Sequence, residues 1–271
     1  MIPDFTIVCG TDRSHLPQLT QAVRTWQRFK PSLMNRPLIV FRDHSQVSDV
    51  EIRQAINHPN LSVYAWPMGN VSYGEKKSKP KTEKEQYEAL WTNPQRYKML
   101  AGFVYVSAYF VMTPYWLKLD ACVSAKGNNE WIDPKWFKDD PAIVSHRWGY
   151  TKPANQMLKL DQWVFENRMY LPSSLVEAKP LDLKPDKDKP DRVSHKRIIS
   201  WAAFFDTEFT KQCVRLAQRV CGPFKLPCCS QDGFLWYMAK RQGLGIRRVN
   251  MKKRGWEHRP TRPFSMDVLK G

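Results

Sequence analysis

Phe5-Thr6-Ile7-Val8-Cys9, closed by Gly10-Thr11-Asp12, is an apolar run that stops at turn-forming residues, and it predicts a buried β-strand. Leu16, Leu19, Val23 and Trp26 follow near i, i+3, i+7 and i+10, the spacing of one apolar helix face. Pro37-Leu38-Ile39-Val40-Phe41 predicts a second strand, ended by Arg42-Asp43. Glu51 to Ile56 reads as a short helix and Leu61-Ser62-Val63-Tyr64-Ala65-Trp66 as a third strand. Strand-helix alternation of this kind predicts an α/β fold with a mostly parallel central sheet flanked by helices.

Gly74 to Lys84 is a lysine-rich loop, with lysines at 76, 77, 79, 81 and 84, and a long helical stretch follows to about Met112. Within it, Met99 to Leu117 carries no charge and approaches the roughly 20 residues that cross a bilayer. Pro114 interrupts that run, and three tyrosines with Ser107 and Thr113 dilute it. The expectation is a buried helix ending near Met112, a turn at Thr113-Pro114 and a strand from Tyr115 to Leu119. Further on, Ala142-Ile143-Val144 predicts a strand, Lys179 to Arg192 an exposed loop, and Thr207 to Val220 and Asp232 to Arg241 helices. No repeat and no linker between two cores is visible, so a single domain over residues 1–271 is expected.

Met1-Ile2-Pro3-Asp4 lacks the basic and long apolar regions of an export signal. Six cysteines, at 9, 122, 213, 221, 228 and 229, are irregularly spaced. Reduced thiols and a cytoplasmic location are therefore expected, and Cys228-Cys229 without a CxxC partner argues against a zinc knuckle.

The charge is unusual. Lys and Arg total 43 against 26 Asp and Glu, a formal +17, which favours a polyanionic partner such as nucleic acid or an anionic membrane. The GxGxxG dinucleotide fingerprint, the P-loop and GxSxG are all missing, which argues against a dehydrogenase, a P-loop NTPase and an α/β-hydrolase. In a parallel α/β sheet, ligands bind beyond the carboxyl ends of the strands. Three places fit: Gly10-Thr11-Asp12, Arg42-Asp43 and Asp120. The last ends Tyr115-Trp116-Leu117-Lys118-Leu119-Asp120-Ala121-Cys122, an apolar strand closed by a carboxylate that can serve as an oxygen ligand to a divalent ion. An acidic residue two positions on would complete an Asp-x-Asp clamp, but Cys122 stands there. Read alone, Asp120 is also compatible with a turn cap.

This order of motifs resembles the GT-A family of nucleotide-sugar glycosyltransferases, a Rossmann-like fold. The resemblance rests on the opening strand-helix-strand unit, Lys98-Met99-Leu100, Thr113 to Asp120, and Ser230-Gln231-Asp232-Gly233-Phe234-Leu235. It implies a nucleotide-sugar-binding half (1–122) and an acceptor-binding half with a basic tail (123–271). It also implies that Thr11, Asp12, Arg13, Asp43, Lys98 and Asp120 hold the nucleotide sugar, a UDP-sugar above others. Asp120 and His258 would hold a divalent metal, Mn or Mg, across the diphosphate, with Cys122 leaving the second acidic position unfilled. Asp232 would be the base that deprotonates the acceptor hydroxyl in an inverting transfer, the competing reading being a helix N-cap.

His146-Arg147-Trp148-Gly149-Tyr150 can form a sugar or acceptor wall, and Trp201 to Thr207 resembles the segment lining the family's acceptor side, a buried strand being the equal alternative. Lys76, Lys77 and Lys79, with Arg147, Trp148, Lys252, Lys253 and Arg254, are the candidate acceptor contacts. With the net charge they lead to DNA as acceptor, through a hydroxymethylated pyrimidine, as in bacterial viruses that disguise their genomes. Two alternatives remain: a peripheral membrane glycosyltransferase acting on a lipid-linked or surface glycan, and a nucleic-acid-binding module without catalysis.

Overall fold

The structure is a computed structural model describing residues 1–13, 15–43, 46–66, 106–127, 131–146, 148–150, 155–179, 181, 196–198, 201–221 and 231–258. The first unit is built as the periodicity predicts: β1 (Phe5–Thr11), α1 (Leu16–Phe29), β2 (Leu38–Asp43), α2 (Asp49–Ala55) and β3 (Leu61–Trp66). A capping box starts α2, the Ser48 hydroxyl accepting from Glu51 N–H while the Glu51 carboxylate accepts from Ser48 N–H. Then come β4 (Tyr115–Leu119), β5 (Val123–Ala125), β6 (Ile143–Ser145), β7 (Trp148–Tyr150), α3 (Asn155–Glu166), α4 (Ser173–Val176) and β8 (Lys196–Ile198). The chain continues through β9 (Ala202–Asp206), α5 (Thr207–Cys221), α6 (Gln231–Arg241), β10 (Ile246–Arg248) and β11 (Trp256–His258).

Seven strands form the central sheet in the order β10-β6-β9-β4-β1-β2-β3. β1, β2, β3 and β4 run parallel, as do β6 and β10, and β9 alone runs the other way between β4 and β6. The expected mostly parallel sheet flanked by helices is thus present in one domain. Strand alternation sorts its side chains into two cores. Phe5, Ile7, Cys9, Leu117 and Phe204 cluster with Leu19, Val23 and Trp26 of α1. Val8, Trp116, Ala203 and Phe205 cluster with Phe209 and Val214 of α5 and Phe234 and Tyr237 of α6. Trp116 stacks on Phe205 at 4.7 Å, and full burial of such side chains contributes about 1.5–3 kcal/mol each.

One boundary differs from the expectation. The helical turns before β4 end at Phe110 rather than near Met112. Val111 is already extended and buried there, and Thr113, as the residue before Pro114, disfavours helix. Of the two readings of Trp201 to Thr207, the buried strand is present: Ala202–Asp206 is the central strand β9, buried through Phe205. The lysine loop 74–84 and the helical stretch up to residue 105 lie outside the described residues. Among the described residues no helix is long and apolar enough to cross a membrane.

Candidate active site

Parallel pairing brings the carboxyl ends of β1, β2 and β4 to one edge of the sheet. Thr11 pairs with Arg42, and Val8 pairs with Lys118, so Thr11-Asp12, Asp43 and Asp120 end up side by side. Because β9 is reversed, its beginning meets the same edge: Leu119 pairs with Ala202, and Asp120 N–H donates to the Trp201 carbonyl at 3.0 Å. β6 and β10 run with β1, and Arg248 pairs with Ser145, just before His146. Across the sheet, this edge therefore carries Asp43, Thr11-Asp12, Asp120, Trp201, His146 and Arg248.

Asp120 is the electrostatic centre of this row. Residues two apart on a strand share a face, and Lys118 reaches forward to place its ammonium 2.7 Å from Asp120 Oδ1. The other carboxylate oxygen, Oδ2, lies 3.6 Å from His258 Nε2. Lys118 is almost fully buried, its side chain 9% exposed, whereas the Asp120 side chain is 36% exposed and reaches solvent. Burial pushes the Asp120 pKa up, but the Lys118 charge and the nearby His258 imidazole outweigh it and hold the carboxyl at about 2. Asp120 is thus a carboxylate throughout the working pH range.

His258 arrives from far along the chain. β11 pairs antiparallel with β5, which follows Asp120 immediately, and sets His258 opposite Val123. The His258 ring stacks on Trp201 at 5.3 Å and 2° between planes; Trp201 also packs on His146 at 4.6 Å. Met251 N–H donates to His146 Nδ1 at 2.8 Å, tying the segment before β11 to the same row. Gly255 makes the return possible. Its φ is +79°, and an added Cβ would sit 2.0 Å from the Lys126 carbonyl oxygen. Gly255→Ala is expected to lower stability by at least about 2 kcal/mol, read as the shift in a urea unfolding midpoint.

The remaining predicted residues distribute as follows. Asp12 closes the start of α1, its Oδ1 accepting from His15 N–H at 2.9 Å with His15 Nδ1 at 2.7 Å. Arg13 is tied to α2 and its approach, pairing with Glu51 at 2.5 Å and donating to the Gln46 carbonyl. Asp43 is buried at the end of β2, its carbonyl accepting from Gln46 and Val47 N–H. Asp232 falls in the first turn of α6. α6 ends ahead of β10, whose start lies at the opposite edge of the sheet. Eleven residues of helix carry the first turn about 16 Å away from that end. Lys252 and Lys253 are exposed, while Arg254 pairs with Asp133 at 3.3 Å. Trp148 opens β7. Lys76, Lys77, Lys79, Lys98 and Arg147 lie outside the described residues.

The sequence reading passed over Lys118 as a partner of Asp120, although their i, i+2 spacing on a strand was the available signal. Among the described residues no group of three His, Cys, Asp or Glu side chains surrounds a point as metal ligands would. The two expected metal ligands, Asp120 and His258, lie 3.6 Å apart from Oδ2 to Nε2.

No protein-family model and no curated protein matches this sequence. Solved structures do match in fold. Core-mannan synthase A (CmsA/Ktr4) from Aspergillus fumigatus, in an Mn/GDP form, superposes with a TM-score of 0.57 at 12% identity, over 96% of this chain and 75% of that one. The mannosyltransferase Ktr4p from S. cerevisiae gives 0.58 at 14% identity, over 95% and 71% of the two chains. Its complex with GDP gives 0.56 at 13% identity over the same shares. The chain therefore has a glycosyltransferase-type fold over nearly its whole length.

Proposed function

We propose that this protein is a glycosyltransferase that moves a sugar from a nucleotide-sugar donor to a hydroxyl acceptor. The observation that carries the reading is the Asp120–His258 pair at the carboxyl edge of the sheet, held by Lys118 and Trp201, in a fold shared with mannosyltransferases that bind GDP. Thr11, Asp12 and Asp43 stand on the same edge for base and ribose, with Arg13 and Lys98 completing the donor set and a UDP-sugar the preferred donor. A divalent ion suits the pair, since a carboxylate and an imidazole fit Mn²⁺, and a hard ion that keeps waters and takes phosphate oxygens needs few protein ligands. Such an ion, when bound, offsets charge building on the leaving diphosphate. Lys118 fixes the orientation of Asp120, and the Trp201 face holds the His258 ring. Asp232 takes the acceptor proton as the bond to the anomeric carbon forms, with inversion there.

The acceptor in this reading is the hydroxymethyl group of a modified pyrimidine in DNA. The formal charge of +17 supports it: one diphosphate needs only a few cations, and most of the excess is left for an extended polyanion. The test offers nucleotide sugars with hydroxymethylcytosine, hydroxymethyluracil and unmodified DNA, followed by digestion to nucleosides and mass spectrometry. A hexose or pentose on a hydroxymethylated nucleoside is expected; no addition with any donor removes DNA as the acceptor.

A further inference from the structure

The cations on and around the segment that follows β9 do not all do the same thing. Arg247 is used internally, donating to the Lys138 carbonyl at 2.9 Å and lying 3.7 Å from Asp139. Arg254 pairs with Asp133 and lies over the Trp136 ring at 5.8 Å, and Lys126 pairs with Glu257 at 2.5 Å. Arg248, Lys252 and Lys253 differ. All three are exposed, and none of their side chains has a hydrogen-bond or ion-pair partner among the described residues.

Their backbone is fixed nonetheless. Arg248 belongs to β10, paired with Ser145 at the carboxyl edge of the sheet. Val249 N–H donates to the Ser145 carbonyl at 2.9 Å, and Met251 is buried with its N–H on His146. The Asn250 side chain accepts from Lys253 N–H, closing one 3-10 turn, and left-handed Gly255 ends it. The segment runs along the edge from β10 back to His258, beside Asp120. Three cations whose side chains have no partner among the described residues thus sit on a hydrogen-bonded span of backbone on the rim that carries the donor site.

We infer that Arg248, Lys252 and Lys253 form a docking ledge for the phosphate backbone of duplex DNA, presenting the acceptor to the Asp120–His258 site. This rests on the proposed transfer to DNA and adds where the duplex is held. A ledge of hydrogen-bonded backbone carrying one exposed guanidinium and two exposed ammonium groups contacts phosphates without reading sequence, as the backbone-positioning half of a nucleic-acid interface does. Arg247, Arg254 and Lys126 have partners within the protein, which leaves Arg248, Lys252 and Lys253 as the outward cations among the described residues of this segment.

The test is fluorescence anisotropy of a labelled 20-base-pair duplex titrated with the full chain at several NaCl concentrations. Each phosphate contact contributes a slope of about −0.9 in log K against log salt. The triple variant Arg248→Ala, Lys252→Ala, Lys253→Ala is expected to lose about 3 from the magnitude of that slope and to bind at least about tenfold more weakly in low salt. The charge-keeping variant Arg248→Lys, Lys252→Arg, Lys253→Arg is expected to retain the wild-type slope, which separates lost contacts from a damaged fold. An unchanged slope in the alanine variant overturns the ledge. So does binding of the wild type to phosphatidylserine vesicles but not to duplex. Donor hydrolysis by the wild type, measured alongside, separates the two claims: hydrolysis without duplex binding removes only the ledge, and salt-dependent duplex binding without hydrolysis removes only the transfer.

Discussion

Asp120→Asn is expected to slow release of nucleoside diphosphate from the donor about a thousandfold, the scale of losing one group that stabilises developing charge. Asparagine keeps the shape of the side chain but cannot carry the charge that faces His258 Nε2. The substitution also leaves Lys118 buried without its carboxylate, and an orphaned buried charge is destabilising. The double variant Asp120→Asn, Lys118→Met removes that orphan. Its melting temperature is expected to recover toward wild type while its turnover stays low, which separates chemistry from folding. Turnover that recovers along with stability would make Asp120 a structural residue. The pH dependence has a definite sign. Because the Asp120 pKa is depressed, the pair stabilises the fold above the ordinary carboxylate range and loses that contribution as pH falls toward 2.

Asp232→Asn is the second large effect. If Asp232 takes the acceptor proton, its amide should reduce transfer by about 10²- to 10⁴-fold while the donor KM stays close to wild type. Initial rates at saturating acceptor, together with titration of the nucleotide, separate the two quantities. Weak donor binding with residual turnover unchanged would contradict the assignment and make Asp232 part of the donor pocket. Asparagine caps a helix about as well as aspartate, so a capping role predicts near-wild-type turnover for the same variant.

Much of the frame was readable from local pattern alone. β1 and β2 are near-continuous apolar runs stopped by Gly or Asp, the pattern of a strand buried on both faces. Strand direction is another matter. Nothing in Ala202-Ala203-Phe204-Phe205 distinguishes a reversed strand from a parallel one, yet that reversal is what brings Trp201 to the working edge. β5, β10 and β11 have three residues each, too few to show a period of two. The pairing of β5 with β11 decides the site, because it joins His258 to Asp120 across more than half the chain. Its only local trace is Gly255, a glycine that carries the left-handed turn just before the strand. The basic tail likewise read as one cluster, and only tertiary contacts separate the paired Arg247 and Arg254 from the exposed Arg248, Lys252 and Lys253.

The most direct test of the account incubates the wild-type chain with Mn²⁺ and a panel of UDP-, GDP- and other nucleotide sugars, and measures free nucleoside diphosphate by chromatography. Release from at least one donor, lost in Asp120→Asn, is the predicted result. The absence of release and of nucleotide binding across the whole panel, or equal release by Asp120→Asn, would contradict a glycosyltransferase centred on Asp120.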